Sequence, residues 1–438
     1  MILKYFSTND FNLNCSFHDG LNKIKNLSKF QKIMTYFWIL GPFIFLIERD
    51  PADLWLTLIS IIFLIRCFYK KDWNWAGQLW FVFAFLFWLS SMVSGILGPY
   101  DKYSFFQGFI WIRFPLYVAA AQVWLGKDRD VRMVMFVSMF VGMLIMCLIL
   151  LAEIIFEPLN EIGNKKERLS WPYGDFVPGS YLARISLPVY CTFLALITFK
   201  FKRFSFLSLF ISLTSLTLVL STGERSNSLI RLFSGIFAFF SWERNKRKLI
   251  KSFIVFIGFF LIIISSFLGF KKYNYDRYVT HFFESVPLIN TSDDNTYWGA
   301  WRSGVQQGLI KPIIGLGPSS SRKHCKTMPE KGMNWLPGKN YCGNHPHNFY
   351  IQIFAETGLI GLTLGVLMFY FLFATCYKGR LTNPKCPISS ICYIIPLAFF
   401  FPFQQTGSFF GQWGNLFIWF PIGFCIAQIQ DYKSIFKK

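Results

Sequence analysis

Charge is scarce in this 438-residue chain: 15% of residues are Asp, Glu, Lys or Arg, and the acidic ones number 23 against 44 basic. With 53% hydrophobic residues, 20% aromatic residues and a mean hydropathy of +0.40, that scarcity excludes a soluble globular protein of this length. Motifs for several chemistries are missing as well. There is no GxSxG elbow, P-loop or HExxH, so a hydrolase serine, a nucleotide cradle and a zincin site have no sequence support. The ten cysteines form neither a CxxC pair nor a Cys/His zinc spacing, and most sit in apolar runs as small hydrophobes. Ser292 to Asn295 reads SDDN, which lacks a spaced DxD and is expected to be a solvated loop rather than a metal motif. No repeat at a fixed period, low-complexity linker or cleavable signal peptide precedes or divides the apolar runs.

The runs themselves predict an all-α polytopic membrane protein with about twelve transmembrane helices, over 33–47, 54–69, 79–97, 105–125, 131–156, 179–199, 204–221, 228–242, 249–269, 347–376, 388–404 and 412–430. Three of them, 33–47, 54–69 and 228–242, fall short of the roughly 17–25 residues that usually cross the hydrocarbon. Lys and Arg set the orientation. With both termini cytoplasmic, and Arg132 and Lys251 counted with the inner ends, the cytoplasmic segments hold 24 basic and 7 acidic residues, the outer ones 16 and 14. The clusters KK (70–71), KDRDVR (127–132), KFKR (200–203), ERNKRK (243–248) and KSIFKK (433–438) all fall on the inner side. The net charge of +21 thus reflects orientation in a bilayer, and nucleic acid is not an expected partner.

This topology gives a cytoplasmic arm at 1–32, nine helices over 33–269, a large outer loop at 270–346 with short helices, three helices over 347–430 and a cytoplasmic tail at 431–438. A loop of that length is expected to fold and to work. Trp298, Trp301, Trp335 and KPIIGLGPSS (311–320) support this. Cys325 and Cys342 share the loop in an oxidising compartment, so a disulfide between them is expected.

Chemistry is expected where the loop meets the tenth helix, at CGNHPHNFYIQIFAETGLIG (342–361). Pro346 suits a first helical turn, which places His345, His347 and Asn348 at a helix entrance. The positive end of the helix dipole favours anions there and keeps a nearby imidazole neutral, able to accept a proton. His347 is the candidate general base and His345 its possible partner, whereas His18, His281 and His324 have no comparable setting. Arg113, Arg184 and Arg231 lie in the outer halves of apolar runs, Arg225 in the outer STGERSN turn (221–227), and Arg302 and Arg322 in the loop. Guanidiniums at that depth suit the oxygens of a lipid-linked phosphate or diphosphate. The plainer alternative is that they snorkel or pair with Glu153, Glu224 or Glu356.

The pattern WxxxxxxxxxxPxxGxG at Trp301, Pro312, Gly315 and Gly317, followed by HPHNxYxQxxxETGxxG from His345 to Gly361, resembles the O-antigen ligase and polymerase superfamily. Arg225 fits that family's small-residue–Arg element, and a twelve-span count agrees with the ligase branch. The resemblance implies metal-independent glycosyl transfer, without a cofactor, on the outer face of the bacterial inner membrane. A glycan on undecaprenyl diphosphate would pass to a lipid A-core hydroxyl. Carried over by position, His347 is the general base, while Arg225 and a loop arginine hold the diphosphate. Where the family often has an arginine four residues before the tryptophan, this chain has Tyr297, so Arg302 is taken as the loop arginine with Arg322 as the alternative. His345, Asn348, Arg113, Arg184, Arg231 and Arg322 are expected around the substrate. A polymerase or a protein O-oligosaccharyltransferase shares this chemistry, and a polysaccharide flippase is the alternative of another class.

Overall fold

The structure is a computed structural model that describes residues 11–126, 128–156, 169–174, 178–196, 202–242, 295–325, 331–333, 336–382 and 387–428, with a few isolated positions besides. Most of the ninth expected span, nearly all of loop residues 270–294 and the tail at 431–438 lie outside the described residues. What is described is overwhelmingly helical, apart from two short antiparallel strand pairs.

Helices α1 (Leu13–Lys25), α2 (Lys29–Ile39), α3 (Gly41–Ile47) and α4 (Arg49–Lys70) are followed by α5 (Leu79–Leu97), α6 (Asp101–Trp111), α7 (Arg113–Trp124) and α8 (Arg129–Phe156). After a wide π-turn at Tyr181–Ile185 come α9 (Leu187–Leu196), α10 (Lys202–Ser221), α11 (Arg225–Trp242) and α12 (Thr296–Ile310). The chain closes with α13 (Phe349–Thr382), α14 (Pro387–Ile391), α15 (Ile394–Phe399) and α16 (Gln412–Ala427). Among the described residues four helices, α4, α5, α8 and α13, are each long and apolar enough to cross a membrane, and the α2–α3 pair, bent by 49°, makes a fifth if it counts as one span.

Several expected spans are broken rather than continuous, and proline accounts for three of the breaks because it removes a helical N–H and crowds the preceding turn. Pro42 stands at the start of α3. Pro115 follows the α6–α7 break at Ile112, and Pro188 follows the π-turn. There Ser186 N–H reaches back five residues to the Tyr181 carbonyl at 3.2 Å. The carbonyl of Leu182 accepts from the Ser186 hydroxyl and from the Arg231 guanidinium, so the turn leaves it satisfied.

Aromatic side chains fill the bundle. Trp38, Trp55 and Tyr117 pack with ring centroids 5.1 to 6.1 Å apart, and Phe45 and Phe420 close the cluster at 5.1 Å. Such tilted and edge-on pairs add to area burial where the bilayer offers no hydrophobic drive between helices. In α13 Gly361 and Gly365 are spaced as GxxxG, and Gly365 sits against Phe87 of α5, so this pair serves helix packing within the chain.

The ends assigned to one side of the membrane meet one another. At the end assigned to the inner side Lys23 of α1 pairs with Asp128 before α8 and with Asp130 in its first turn, and Arg380 near the end of α13 donates to the Ser241 carbonyl of α11. At the opposite end the turn 311–320 locks into a break in α13. Gly358 has φ +67° and ψ −168°, a region open essentially to glycine alone. The carbonyls freed by that break accept from the turn: Leu316 N–H to Ala355 O at 3.0 Å and Gly317 N–H to Glu356 O at 2.8 Å. In return Leu359 N–H donates to Pro312 O at 2.8 Å. The Glu356 carboxylate accepts from the Ser319 N–H at 2.8 Å and from Gln352 Nε2 at 3.1 Å. A Cβ on Gly358 would stand 2.3 Å from the Ile313 backbone. Gly358→Ala is therefore expected to destabilise the protein by more than about 2 kcal/mol. A melting temperature in detergent equal to that of the native protein would contradict this.

Candidate active site

A polar cavity of about 320 Å³ opens at the end of the bundle that carries the turn, lined by Ser180, Arg184, Glu224, Arg225, Asn227, Tyr297, His345, His347 and the segment Gln405–Gly407. The lining comes from the head of the π-turn, the α10–α11 connection, the first turns of α11 and α12, the entrance to α13 and the α15–α16 connection. All of these were assigned to the outer side from the distribution of Lys and Arg.

The two histidines stand 4.2 Å apart between ring centroids, and both address one acceptor, the Thr406 carbonyl. His345 Nε2 lies 3.2 Å from it and His347 Nδ1 3.3 Å. A carbonyl only accepts, so each of those nitrogens carries the proton, and the lone pairs are left on His345 Nδ1 and His347 Nε2. The tie is reciprocal, since Thr406 N–H donates to the His347 carbonyl at 2.9 Å. His347 has φ +58°, which is unusual for a residue with a Cβ, and the Thr406 clamp holds it there. The Tyr297 ring packs edge-on against His347 at 5.1 Å.

Both imidazoles are held neutral. Burial, with the His347 ring and the Arg322 charge adding to it and the Thr406 carbonyl opposing, lowers His345 from 6.5 to about 3. Burial likewise lowers His347, against the Thr406 hydrogen bond. Desolvation therefore accounts for the neutrality, where the helix dipole was expected to. The Glu224 carboxyl is pushed the other way, up to about 7, because burial outweighs its hydrogen bond from Asn227 and the Arg184 charge. Among the described residues no three His, Cys, Asp or Glu side chains converge as a metal site.

The expected site residues divide between this cavity and other places. Arg184, Arg225, His345 and His347 line it. Asn348 is 4% exposed and caps α13, its Oδ1 accepting from the N–H groups of Tyr350 and Ile351 while Nδ2 donates to the Pro402 carbonyl. Arg113 pairs with Asp53 of α4 at 2.7 Å. Arg231 is fully buried in the bundle, over the Tyr190 ring at 3.8 Å and hydrogen-bonded to Leu182 O, Ser186 and Ser215. Arg302 is 2% exposed and donates to the Lys339 carbonyl, with its guanidinium 5.9 Å from the Trp298 ring. Arg322 sits in the short helical turn Ser321–His324 and does not line the cavity. Cys325 and Cys342 are joined by a disulfide, with Cα atoms 5.3 Å apart, three residues before His345. Of the other acids, Glu153 accepts from the Ser170 and Trp171 N–H groups.

Thr406, Gln405, Glu224, Asn227 and Ser180 were not proposed as site residues from the sequence. The signal for the first two was present as the polar QTGS break (405–408) between two apolar runs.

Beside the polar cavity runs an apolar groove of about 420 Å³ between α11 and α15, lined by Leu229, Phe233, Phe237, Leu397, Phe401 and Phe403 among others. Arg225, Ser226 and Gln405 line both, so groove and cavity are continuous at the Arg225 side chain.

His345 should accordingly stay neutral in histidine-labelled protein followed by NMR from pH 7 to 5, and His347 should titrate below its ordinary value, with the signals of the five histidines assigned by His→Gln substitution. Titration of His345 near its ordinary value of 6.5 would contradict the burial described.

Residues 209–366 match the family model described as O-antigen ligase, a stretch that includes Arg225, α12, both cavity histidines and the break at Gly358. This supports the O-antigen ligase superfamily. No curated protein matches the chain.

Proposed function

We propose, from the premise that residues 209–366 carry the O-antigen ligase domain, that the chain is a metal-independent glycosyltransferase of the outer face of the bacterial inner membrane. In this reading it passes a glycan from undecaprenyl diphosphate to a sugar hydroxyl of the lipid A core. The observation that carries the reading is the continuity of an apolar groove with a polar cavity through Arg225. Such a site matches a donor that is a hydrocarbon chain at one end, a diphosphate in the middle and a sugar at the other. The isoprenoid lies along Phe233 and Phe237, the diphosphate meets Arg225, and the sugar faces the histidines.

The chemistry then follows from the tautomers. His347 Nδ1–H is committed to Thr406, so Nε2 takes the proton of the acceptor hydroxyl as its oxygen bonds to the anomeric carbon. The bond from that carbon to the diphosphate oxygen breaks, and the departing charge settles against the guanidinium of Arg225. Arginine suits this because its planar fork meets two phosphate oxygens at once. A growing glycan or a protein hydroxyl could take the acceptor's place without changing any of these steps. The grouping of ionisable residues at one end, rather than at the middle of the bundle, favours transfer over transport.

His347→Ala is expected to insert and fold but to lose transfer by at least about 100-fold, and Arg225→Lys to be strongly impaired, since a point charge does not replace the fork. Glycan-capped lipopolysaccharide on a gel reads both. Product from His347→Ala equal to that of the native protein removes the histidine from the mechanism.

A further inference from the structure

A diphosphate carries more charge than one guanidinium meets, and two arginines, Arg184 and Arg225, line the cavity. Tyr297 lines the cavity with its ring against His347, while neither Arg302 nor Arg322 lines it. We infer that Arg184, reaching in from the π-turn, is the second guanidinium for the donor's diphosphate, and that Asn227 and Glu224 are the positioning residues that hold it there. This rests on the donor reading above.

The geometry is a relay of fixed hydrogen bonds. Glu224 Oε2 accepts from Asn227 Nδ2 and, at 3.2 Å, from the Ser180 hydroxyl. Asn227 Nδ2 also donates to Ser180 Oγ at 2.9 Å, so the donor side of the amide is gripped from two directions. Its oxygen therefore faces Arg184, whose Nε donates to it at 3.0 Å. Arg184 spends its Nε on this bond alone. Its two Nη atoms make no hydrogen bond or ion pair with the described residues, and the side chain lines the cavity. Glu224 stands nearby without forming an ion pair to Arg184, so the guanidinium keeps its outer edge for an anion. That edge offers paired donors of the kind phosphate oxygens accept. The backbone that carries Arg184 is itself held, since Ser186 and Arg231 occupy the carbonyl of Leu182 in the same turn. Arg184 and Arg225 then contribute from separate elements to one cavity, one before α9 and one at the head of α11.

The test uses full-length protein in lipid nanodiscs, with farnesyl diphosphate and farnesol as probes and calorimetry as the readout. Arg184→Gln should weaken farnesyl diphosphate binding by about tenfold or more while leaving farnesol binding unchanged, because the groove is intact. Arg184→Lys should not restore it, since lysine has no Nε–H to give Asn227 while also reaching the anion. Asn227→Leu, which keeps Arg184 but frees it, should weaken the diphosphate alone by about three- to fivefold. Native affinity for the diphosphate in Arg184→Gln, or equal loss of both probes, would overturn the inference. Native protein that binds neither probe would instead sink the donor reading on which it rests.

Discussion

The arrangement depends on one backbone constraint: α13 is interrupted at Gly358 so that its freed carbonyls bond the turn 311–320. A helix crossing a bilayer keeps its peptide groups paired internally, and a break is tolerated only where other protein groups take over. Here Leu316 and Gly317 do so, Ser94 of α5 adds a bond to the Glu356 carbonyl at 2.6 Å, and the Glu356 side chain accepts from the turn in return. The interlock ties the loop that bears α12 to the helix whose entrance carries the histidines. Gly304 and Gly308 of α12 lie directly against Pro346, Ile351 and Phe354, which fixes the distance between Tyr297 and His347. The ETG motif of α13 and the GLG motif of the turn are thus the two halves of one joint, and neither touches the cavity.

A second constraint acts at the cavity, where a single carbonyl sets two proton positions. Thr406 is held by its N–H to the His347 carbonyl and, through its own carbonyl, orients both rings. The cost is a strained backbone at His347, in keeping with the concentration of such strain at working sites. Across the cavity, a carboxylate and an amide direct a guanidinium without neutralising it. The three devices make a water-accessible pocket with neutral proton acceptors on one wall and cations on the other. That division is what transfer from a diphosphate requires.

Much of this was legible in the sequence because it was local or compositional. Hydropathy and the placement of Lys and Arg sorted the connections into two groups, and the cavity draws its residues from one of them. The pair Cys325 and Cys342 could be read from the outer loop they share, and His345 with His347 and Arg225 from their positions and from a family resemblance. The rest depended on partners far away in the chain. Arg113 is equally polar and equally close to a span end, yet Asp53, sixty residues earlier, takes it. Asn348 looks like a binding residue in the linear motif but spends both ends of its amide on the helix entrance and on Pro402. Thr406 contributes through its backbone, for which side-chain identity carries no signal. The broken helices were obscured because hydropathy sums over a window and is blind to Pro115 or Pro188 within it.

The central claim is that groove and cavity act as one site for an isoprenoid diphosphate. Photo-crosslinking with a benzophenone-bearing isoprenyl diphosphate, followed by peptide mapping, tests it most directly. The account predicts adducts on the groove walls around Phe233, Phe237, Leu397 and Phe403, suppressed by unlabelled farnesyl diphosphate. Adducts spread over the lipid-facing helices, or adducts that the competitor leaves unchanged, would contradict it.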